Sequence, residues 1–351
     1  NYKKAEFNFS KSNTLIVGPN TSGKTNLIEA VFYLGFGKSF RTDKDEQAIR
    51  FGEEVARLSA QLNNSIKLEV VIASGVATGG VSKKKFMING VNKRRIDFVG
   101  NLLSVLFSPL DLDMIIGSPS LRRNFLNNVL EATDIEYRTA HLEFTKGLRQ
   151  RNALLDRARE TGVRDERQFE YWDNILINTG EVVIQKREEF IKFINNSQKD
   201  IFDFMMIYDK SIISKERLLQ YKEQELGAGV TLVGPHRDDF SIRMYPNKNS
   251  PNQSESKESE LKDVKFFGSR GQQRLVILQL KLIEIEFIEQ KIGERPILLL
   301  DDIFSELDSS HINLVLDIIN KQQTIITTTH KEFVPKRILE KVKVIELGEK
   351  I

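Results

Sequence analysis

Hydrophobic positions recur along this chain with two periods, and the changes from one to the other divide it into three. Near the start, Thr14-Leu15-Ile16-Val17 is a short β-branched apolar run that reads as a buried parallel strand. Leu27, Ala30, Val31 and Leu34 then recur at helical spacing, which predicts an amphipathic helix over residues 24–34. Two runs at 55–60 and 66–72, separated by Asn63-Asn64-Ser65, predict a β-hairpin. Lys83 to Gly90 predicts a further strand ending in an Asn-Gly turn. Leu102 to Phe107 reads as a buried strand that stops at Ser108-Pro109.

From residue 109 to about 226 the character changes. Glycine becomes rare, and charged segments carry the helical period at 121–132, 135–159, 166–195 and 201–208. This predicts a helical lobe inserted into a sheet domain. Trp172, the only tryptophan, lies beside Tyr171 and reads as core. The strand pattern resumes over Val230 to Phe240. Residues 247–263 are nearly free of apolar side chains and read as a mobile loop. A long apolar helix, Arg274 to about Lys291, leads to the strand Ile297 to Leu300 and then to Asp301-Asp302. A last β-rich strand, Thr324 to Thr329, ends at His330. The expected division is 1–108, 109–226 and 227–351, with the outer two parts forming one lobe.

Composition adds limits. A chain of 351 residues suits about two domains. With 40% hydrophobic and 29% charged residues it is ordinary soluble globular material, and no run approaches the roughly 18 apolar residues of a membrane span. No signal-peptide pattern is present. The absence of Cys excludes disulfides, thiolate zinc sites and a cysteine nucleophile, and suits a reducing cytoplasm. The net charge of +3 permits nucleic-acid binding without arguing for it. Lys83 to Lys85 and Lys93-Arg94-Arg95 flank the Asn-Gly turn; most such runs are solvated faces, but two on one hairpin tip could hold a phosphate backbone. Since the numbering opens on Asn1-Tyr2, a first strand is expected ahead of it.

The candidate chemistry is concentrated at four places. Gly18-Pro19-Asn20-Thr21-Ser22-Gly23-Lys24-Thr25 matches G-x-x-x-x-G-K-[ST] between a strand and a helix, the context that pattern needs. Its N–H groups can wrap a polyphosphate at a helix N-terminus, with Lys24 on the β- and γ-phosphates and Thr25 on Mg²⁺. Arg41 lies in the loop after the helix, which reads equally as a solvated loop or as a cationic loop near those phosphates, and Asn26 is expected near them too. Ser269, Gly271 and Gln272 open a second helix N-terminus, another ready anion site. Asp301 is expected to hold Mg²⁺, and Asp302 to orient or deprotonate a water. A lone histidine is usually structural, but His330, at the end of the strand after the double Asp, could instead sense the γ-phosphate.

In this order, with Ser305-Glu306-Leu307-Asp308 following the double Asp, these elements resemble an ABC-type ATPase head, a mixed β-sheet lobe with an inserted helical lobe and no long coiled coil. Thr25 and Ser269 are 244 residues apart, more than in transporter subunits and fewer than in SMC proteins. More narrowly, the chain resembles the RecF family. Gly23 to Ala30, Gly37 to Thr42, Phe107-Ser108-Pro109, Gly117 to Asn127, Gly234-Pro235-His236-Arg237-Asp238-Asp239 and Ser269 to Arg274 carry that resemblance. It departs from the family at Leu110, where an acidic residue is usual, and lacks the glutamine that ABC ATPases place near Ser108-Pro109. The resemblance implies a weak, DNA-stimulated ATPase that dimerises on ATP and binds duplex DNA near gaps. It further implies partnership with RecR and RecO in directing RecA. The rival readings are a nucleotide-gated scaffold without hydrolysis, since Asp302 stands where many ABC ATPases have Glu, and a transporter ATPase subunit.

Overall fold

In the computed structural model, residues 2–348 are described except 43, 64, 246–260, 304–318, 320 and 335–338. The expected Ser305 to Asp308 element and most of the 247–263 loop therefore lie outside the described residues. In chain order the strands are β1 Asn13–Val17, β2 Val55–Leu62, β3 Ile66–Ala73, β4 Lys83–Ile88, β5 Val91–Lys93, β6 Ser104–Phe107, β7 Met205–Asp209, β8 Asp239–Met244, β9 Lys262–Asp263, β10 Ile297–Asp301, β11 Thr324–Thr328 and β12 Lys343–Glu346. The long helices are α1 Lys24–Phe36, α2 Pro119–Thr133, α3 Ile135–Thr161, α4 Glu166–Asn196 and α5 Arg270–Ile292.

Two compact units form, residues 1–111 with 284–351, and residues 112–283. The first contains an all-parallel sheet in the order β12-β1-β11-β10-β6. Leu15, Ile16, Leu299 and Ile326 are fully buried in it, as expected for strands covered on both faces. Helix α1 follows β1 and stops at Gly37, whose φ of 67° is the left-handed cap that a Cβ disfavours. The same unit contains an antiparallel sheet, β2-β3-β4-β5. Its inner face buries Leu68, Val70, Ile72 and Phe86. Asn89 and Gly90, at φ 51° and 78°, form the tight turn between β4 and β5 that their sequence predicts.

The second unit is built on α2, α3 and α4. Gly162 to Asp165 join α3 to α4, and Asp165 caps the new helix by accepting the N–H groups of Arg167 and Gln168. A small antiparallel sheet, β7-β8-β9, belongs to this unit. Here the structure corrects four expectations. Residues 201–208 are not helical: Met205–Asp209 pairs with β8, because Phe204 and Met206 alternate inward and a short apolar run suits either period. Val230 to Val233 forms no strand; Thr231 and Val233 are buried in a loop, and pairing begins at Asp239. Leu261 is buried and Lys262–Asp263 pairs with β8, so the polar segment ends before residue 261. The boundary expected at 226/227 lies at 283/284, since β8 is tied to β7 in the same unit. Trp172 is half-buried, its ring edge against the exposed Tyr171.

The Gly234 to Asp239 run is the keystone of this unit. Arg187, 2% exposed, donates to Asp238 Oδ2 at 2.9 Å, to Pro235 O at 2.7 Å, to Asn127 Oδ1 at 2.8 Å and to Tyr137 Oη at 3.1 Å. Asp238 also accepts from Tyr208 Oη and from the Ser211 N–H. Arg122 grips Asp239 bidentately at 2.6 and 2.9 Å, and Arg123 donates to Asp238 O at 2.7 Å. Arg151, fully buried, pairs with Asp173 and Glu225, while Arg149 is exposed. Arg122, Arg123 and Arg151 thus satisfy buried groups, as such charges must.

His236 lies in the same loop, its Nε2 3.0 Å from Thr231 O. Burial pushes its imidazole down to about 4 from the ordinary 6.5. A histidine kept neutral in the fold but protonated at 6.5 when unfolded contributes stability above pH 6.5 that is lost as pH falls toward 4. The loss amounts to about 3 kcal/mol at the lower end. Urea midpoints at a series of pH values will show a fall across this window that His236→Gln flattens; an unchanged slope in that variant would show that other groups cause it.

Candidate functional site

The site grows from the parallel register. Val17 lies opposite Thr328 and Asp301 opposite Thr327, so the loop after β1, the end of β10 and the end of β11 meet at one edge of the sheet. Ligands of open α/β sheets bind at that carboxyl edge. Gly18 N–H donates to Thr328 O at 3.3 Å and fixes the start of the loop. Thr21 and Gly23 take φ of 71° and 100°, turning the loop back onto α1. A Cβ on Gly18 would come within 2.7 Å of Ser22 Oγ and 2.9 Å of Leu347 O, so only glycine fits.

Lys24 is 8% exposed and lies inside this curl. Its Nζ donates to Gly18 O at 2.7 Å and Pro19 O at 2.9 Å. Burial pushes the ammonium pKa down, and the charges of Asp302 and Asp301 work against that. Thr25 Oγ1 donates to Asp301 Oδ1 at 3.2 Å. The same oxygen accepts from Thr327 Oγ1 at 2.7 Å. Thr327 in turn accepts the Asp302 N–H at 3.1 Å. Asp302 holds φ at 51°, a left-handed conformation that costs a non-glycine residue energy and concentrates at functional sites.

These residues fit a polyphosphate and its metal. Ser22 Oγ is buried with no hydrogen-bond partner among the described residues, inside a curl of loop backbone. A hydroxyl and a carboxylate, Thr25 and Asp301, form a hard-oxygen donor pair that suits Mg²⁺, an ion usually held by one or two protein groups together with phosphates. No group of three or more His, Cys, Asp or Glu side chains is gathered for a metal among the described residues.

The sequence-predicted residues divide into three sets. Residues 18–25, Asp301 and Asp302 are brought together at the sheet edge. Asn26 follows Thr25 on the first turn of α1. Arg41 turns to Glu29 of α1, 3.5 Å away, beside Ser39, which also donates to that carboxylate. His330 is 64% exposed, its ring 3.8 Å from Glu332. Ser269 and Gln272 form a reciprocal capping box at the start of α5. Ser269 Oγ accepts the Gln272 N–H at 3.2 Å, and Gln272 Oε1 accepts the Ser269 N–H at 2.9 Å. Gly271 is exposed, and a Cβ there would meet only Ser269 Oγ, at 3.9 Å. The cap leaves the Ser269 O–H free to donate outward.

Comparison with known proteins now decides the family. The RecF/RecN/SMC N-terminal domain matches residues 1–349. A Bacillus thuringiensis (strain Al Hakam) "DNA replication and repair protein RecF" is 32% identical over 99% of this chain and 94% of its own. The chain belongs to the RecF family. A Bacillus cereus (strain G9842) RecF is 33% identical over the same shares. A solved structure of the recombination mediator protein RecF-ATP in the RecFOR pathway superposes with a TM-score of 0.80 and 30% identity, over 95% of this chain and 90% of that one. The expected ABC-type α/β head is therefore the RecF-family fold, without a long coiled coil among the described residues.

Two residues at the site carry no sequence signal. Thr327 looks like any β-branched strand residue. Tyr2, whose Oη donates to Gly23 O at 3.2 Å, stands 21 residues from the glycine it covers. Thr327→Val should cost about 1–3 kcal/mol, because the buried Asp301 carboxylate and the Asp302 N–H both lose a partner. Thr327→Ser, which keeps the hydroxyl, should cost less. Denaturant titration of the two variants separates the hydrogen bonds from packing; equal losses would refute the bridging role.

Proposed function

We propose that this chain is an ATP-dependent recombination and repair mediator that dimerises on ATP, hydrolyses it slowly with stimulation by DNA, and binds duplex DNA near single-stranded gaps. The convergence of Lys24, Thr25 and Asp301 at one sheet edge carries this reading, in a chain 30% identical to a RecF described with ATP. Lys24 exchanges two loop carbonyls for β- and γ-phosphate oxygens, and the N–H groups of residues 20–25 hold the rest of the chain of phosphates. Thr25 and Asp301 would hold Mg²⁺, which would supply positive charge against the phosphates. Asp302 orients the attacking water and takes its proton.

In a two-fold dimer the Ser269 hydroxyl and the N–H groups near Gly271 of one protomer approach the nucleotide held by the other. Gln272 supports Ser269 through the capping box. His330 and Arg41 are assigned to the γ-phosphate and to charge around the phosphates. The family reading adds RecR and RecO as partners, RecA loading as the outcome, and the cytoplasm as the location. One observation favours a scaffold that does not hydrolyse ATP: Asp302 is one methylene shorter than the glutamate many ABC ATPases use.

Asp302→Asn keeps size and hydrogen bonding but removes the base. It should lower steady-state phosphate release by about 100-fold or more and accumulate the ATP-bound dimer. A normal rate would reassign the water to another residue, and no release from the wild type, with or without DNA, would favour the scaffold. Ser269→Arg adds bulk where close approach is needed. It should bind nucleotide with near-normal affinity as a monomer yet fail to dimerise on ATP, as light scattering will show. A variant that still dimerises would refute the role of Ser269 across the interface.

A further inference from the structure

Register sorts the two basic runs beside the Asn89-Gly90 turn onto different faces of the β2–β5 sheet. Lys84, opposite Ile72 on the inner face, is ion-paired with Asp45 at 2.8 Å and donates to Gly37 O. Arg95 donates to Phe36 O at 2.8 Å. Arg94 is held by Asp97, and Lys93 lies opposite the buried Phe86 at the sheet edge. Lys83 and Lys85 take the other parity and point outward with Met87. On the neighbouring strands, the same parity presents Lys67, Glu69, Val71 and Ala73, then Val55, Arg57, Ser59 and Gln61.

The outer face therefore carries Arg57, Lys67, Lys83 and Lys85 against one carboxylate, Glu69, which is 10% exposed and already paired with Lys67 at 3.3 Å. Arg57, Lys83 and Lys85 are exposed and have no carboxylate partner among the described residues. Between them lie small or flat side chains, Val55, Ser59, Val71, Ala73 and Met87, so the face has no wall to bar a rigid rod. Arg57, Val71 and Lys85 share one row across three strands, which puts the two cations about 10 Å apart. Lys83 and Lys85 are about 7 Å apart along one strand. Those separations lie in the range of the roughly 6 and 12 Å groove widths of duplex DNA.

We infer that this outer sheet face is a nucleic-acid phosphate-contact surface, with Arg57, Lys83 and Lys85 as its contacts to the duplex backbone. The inference rests on the reading that the chain binds DNA, and adds where. Three long cations over a flat, small-side-chain surface contact phosphates without reading base edges, so binding there is indifferent to sequence. An acidic protein would also be attracted to such a face. The even spacing of exposed cations that have no carboxylate partner among the described residues favours a uniform polyanion.

The test is the salt dependence of binding to a fluorescent duplex of about 30 base pairs, since each neutralised phosphate contributes about 0.9 to the slope of log affinity against log salt. The triple variant Arg57→Gln, Lys83→Gln, Lys85→Gln should lower that slope by roughly 2.7 and reduce affinity by about an order of magnitude or more at 0.1 M salt. A matched triple on α3, Lys146→Gln, Arg149→Gln and Arg157→Gln, should change neither by a comparable amount. Nucleotide affinity, measured alongside, should stay at the wild-type value in both. If the first triple keeps the wild-type slope, or the α3 triple loses as much, the assignment of this face is overturned while DNA binding stands. If the wild-type chain binds no duplex, the DNA reading itself falls and the inference falls with it.

Discussion

A single buried oxygen, Asp301 Oδ1, holds the site together. It accepts hydroxyls from Thr25 on α1 and from Thr327 on β11, and so joins segments 276 residues apart in sequence. Asp301 is 6% exposed, and a carboxylate that deep is tolerated only when its lone pairs are satisfied and an opposite charge is near. Lys24 supplies that charge, and the two carboxylates in turn oppose the fall in the Lys24 pKa caused by burial. The parallel register does the remainder: a slip of one residue between β10 and β11 would turn Thr327 away from Asp301 and dismantle the edge. The Lys24 ammonium is meanwhile satisfied by two carbonyls of its own loop. Exchanging them for phosphate oxygens replaces neutral acceptors with charged ones, the stronger class of hydrogen bond, without first exposing a bare buried cation.

The second unit solves the same problem with more charge. Arg187 donates to Asp238, Pro235, Asn127 and Tyr137, and Asp238 is also held by Tyr208 and Ser211. Replacing such a network with apolar side chains of equal volume is often neutral, so its presence is weak evidence of added stability. Its effect is geometric. Helices α2 and α4 and strand β7 each bring a group that only one arrangement of the Gly234 to Asp239 loop can satisfy, and removing any one partner would leave a buried charge exposed to the rest.

The sequence made the first half of this visible and hid the other. Strand β1, the glycine-rich loop after it and α1 were legible because their signal is contiguous: an apolar run, two glycines at fixed spacing and a helical period. Asp301-Asp302 was legible because an apolar strand rarely ends in two carboxylates. Thr327 was not, since its role depends on a register that pairs β10 with β11, and β-branched residues are common in any strand. Residues 201–208 were misread because a short apolar run fits either period, and pairing with β8 decides between them. The Gly234 to Asp239 run was legible as a family mark. That it packs a buried ion network, with Arg122 and Arg123 as partners, follows only from contacts more than a hundred residues apart.

Charge was the least legible property, for a physical reason. A net charge of +3 on 351 residues describes the chain as a whole, whereas a ligand meets one face. Many of the cations are committed locally: Lys186 to Asp134 and Glu136, Lys210 to Glu188, Arg94 to Asp97, Lys84 to Asp45. Such pairs contribute little field beyond their own surroundings, because the opposite charges largely cancel within a Debye length. What remains is set by the unpartnered cations, and in a strand their parity decides which face they charge. Lys83-Lys84-Lys85 shows this within three residues: the middle lysine closes an ion pair beneath the sheet, while its neighbours stand on the other side without carboxylate partners among the described residues. A run of three like charges in sequence is therefore two different physical objects in the fold, and only the pairing of β4 with β3 tells them apart.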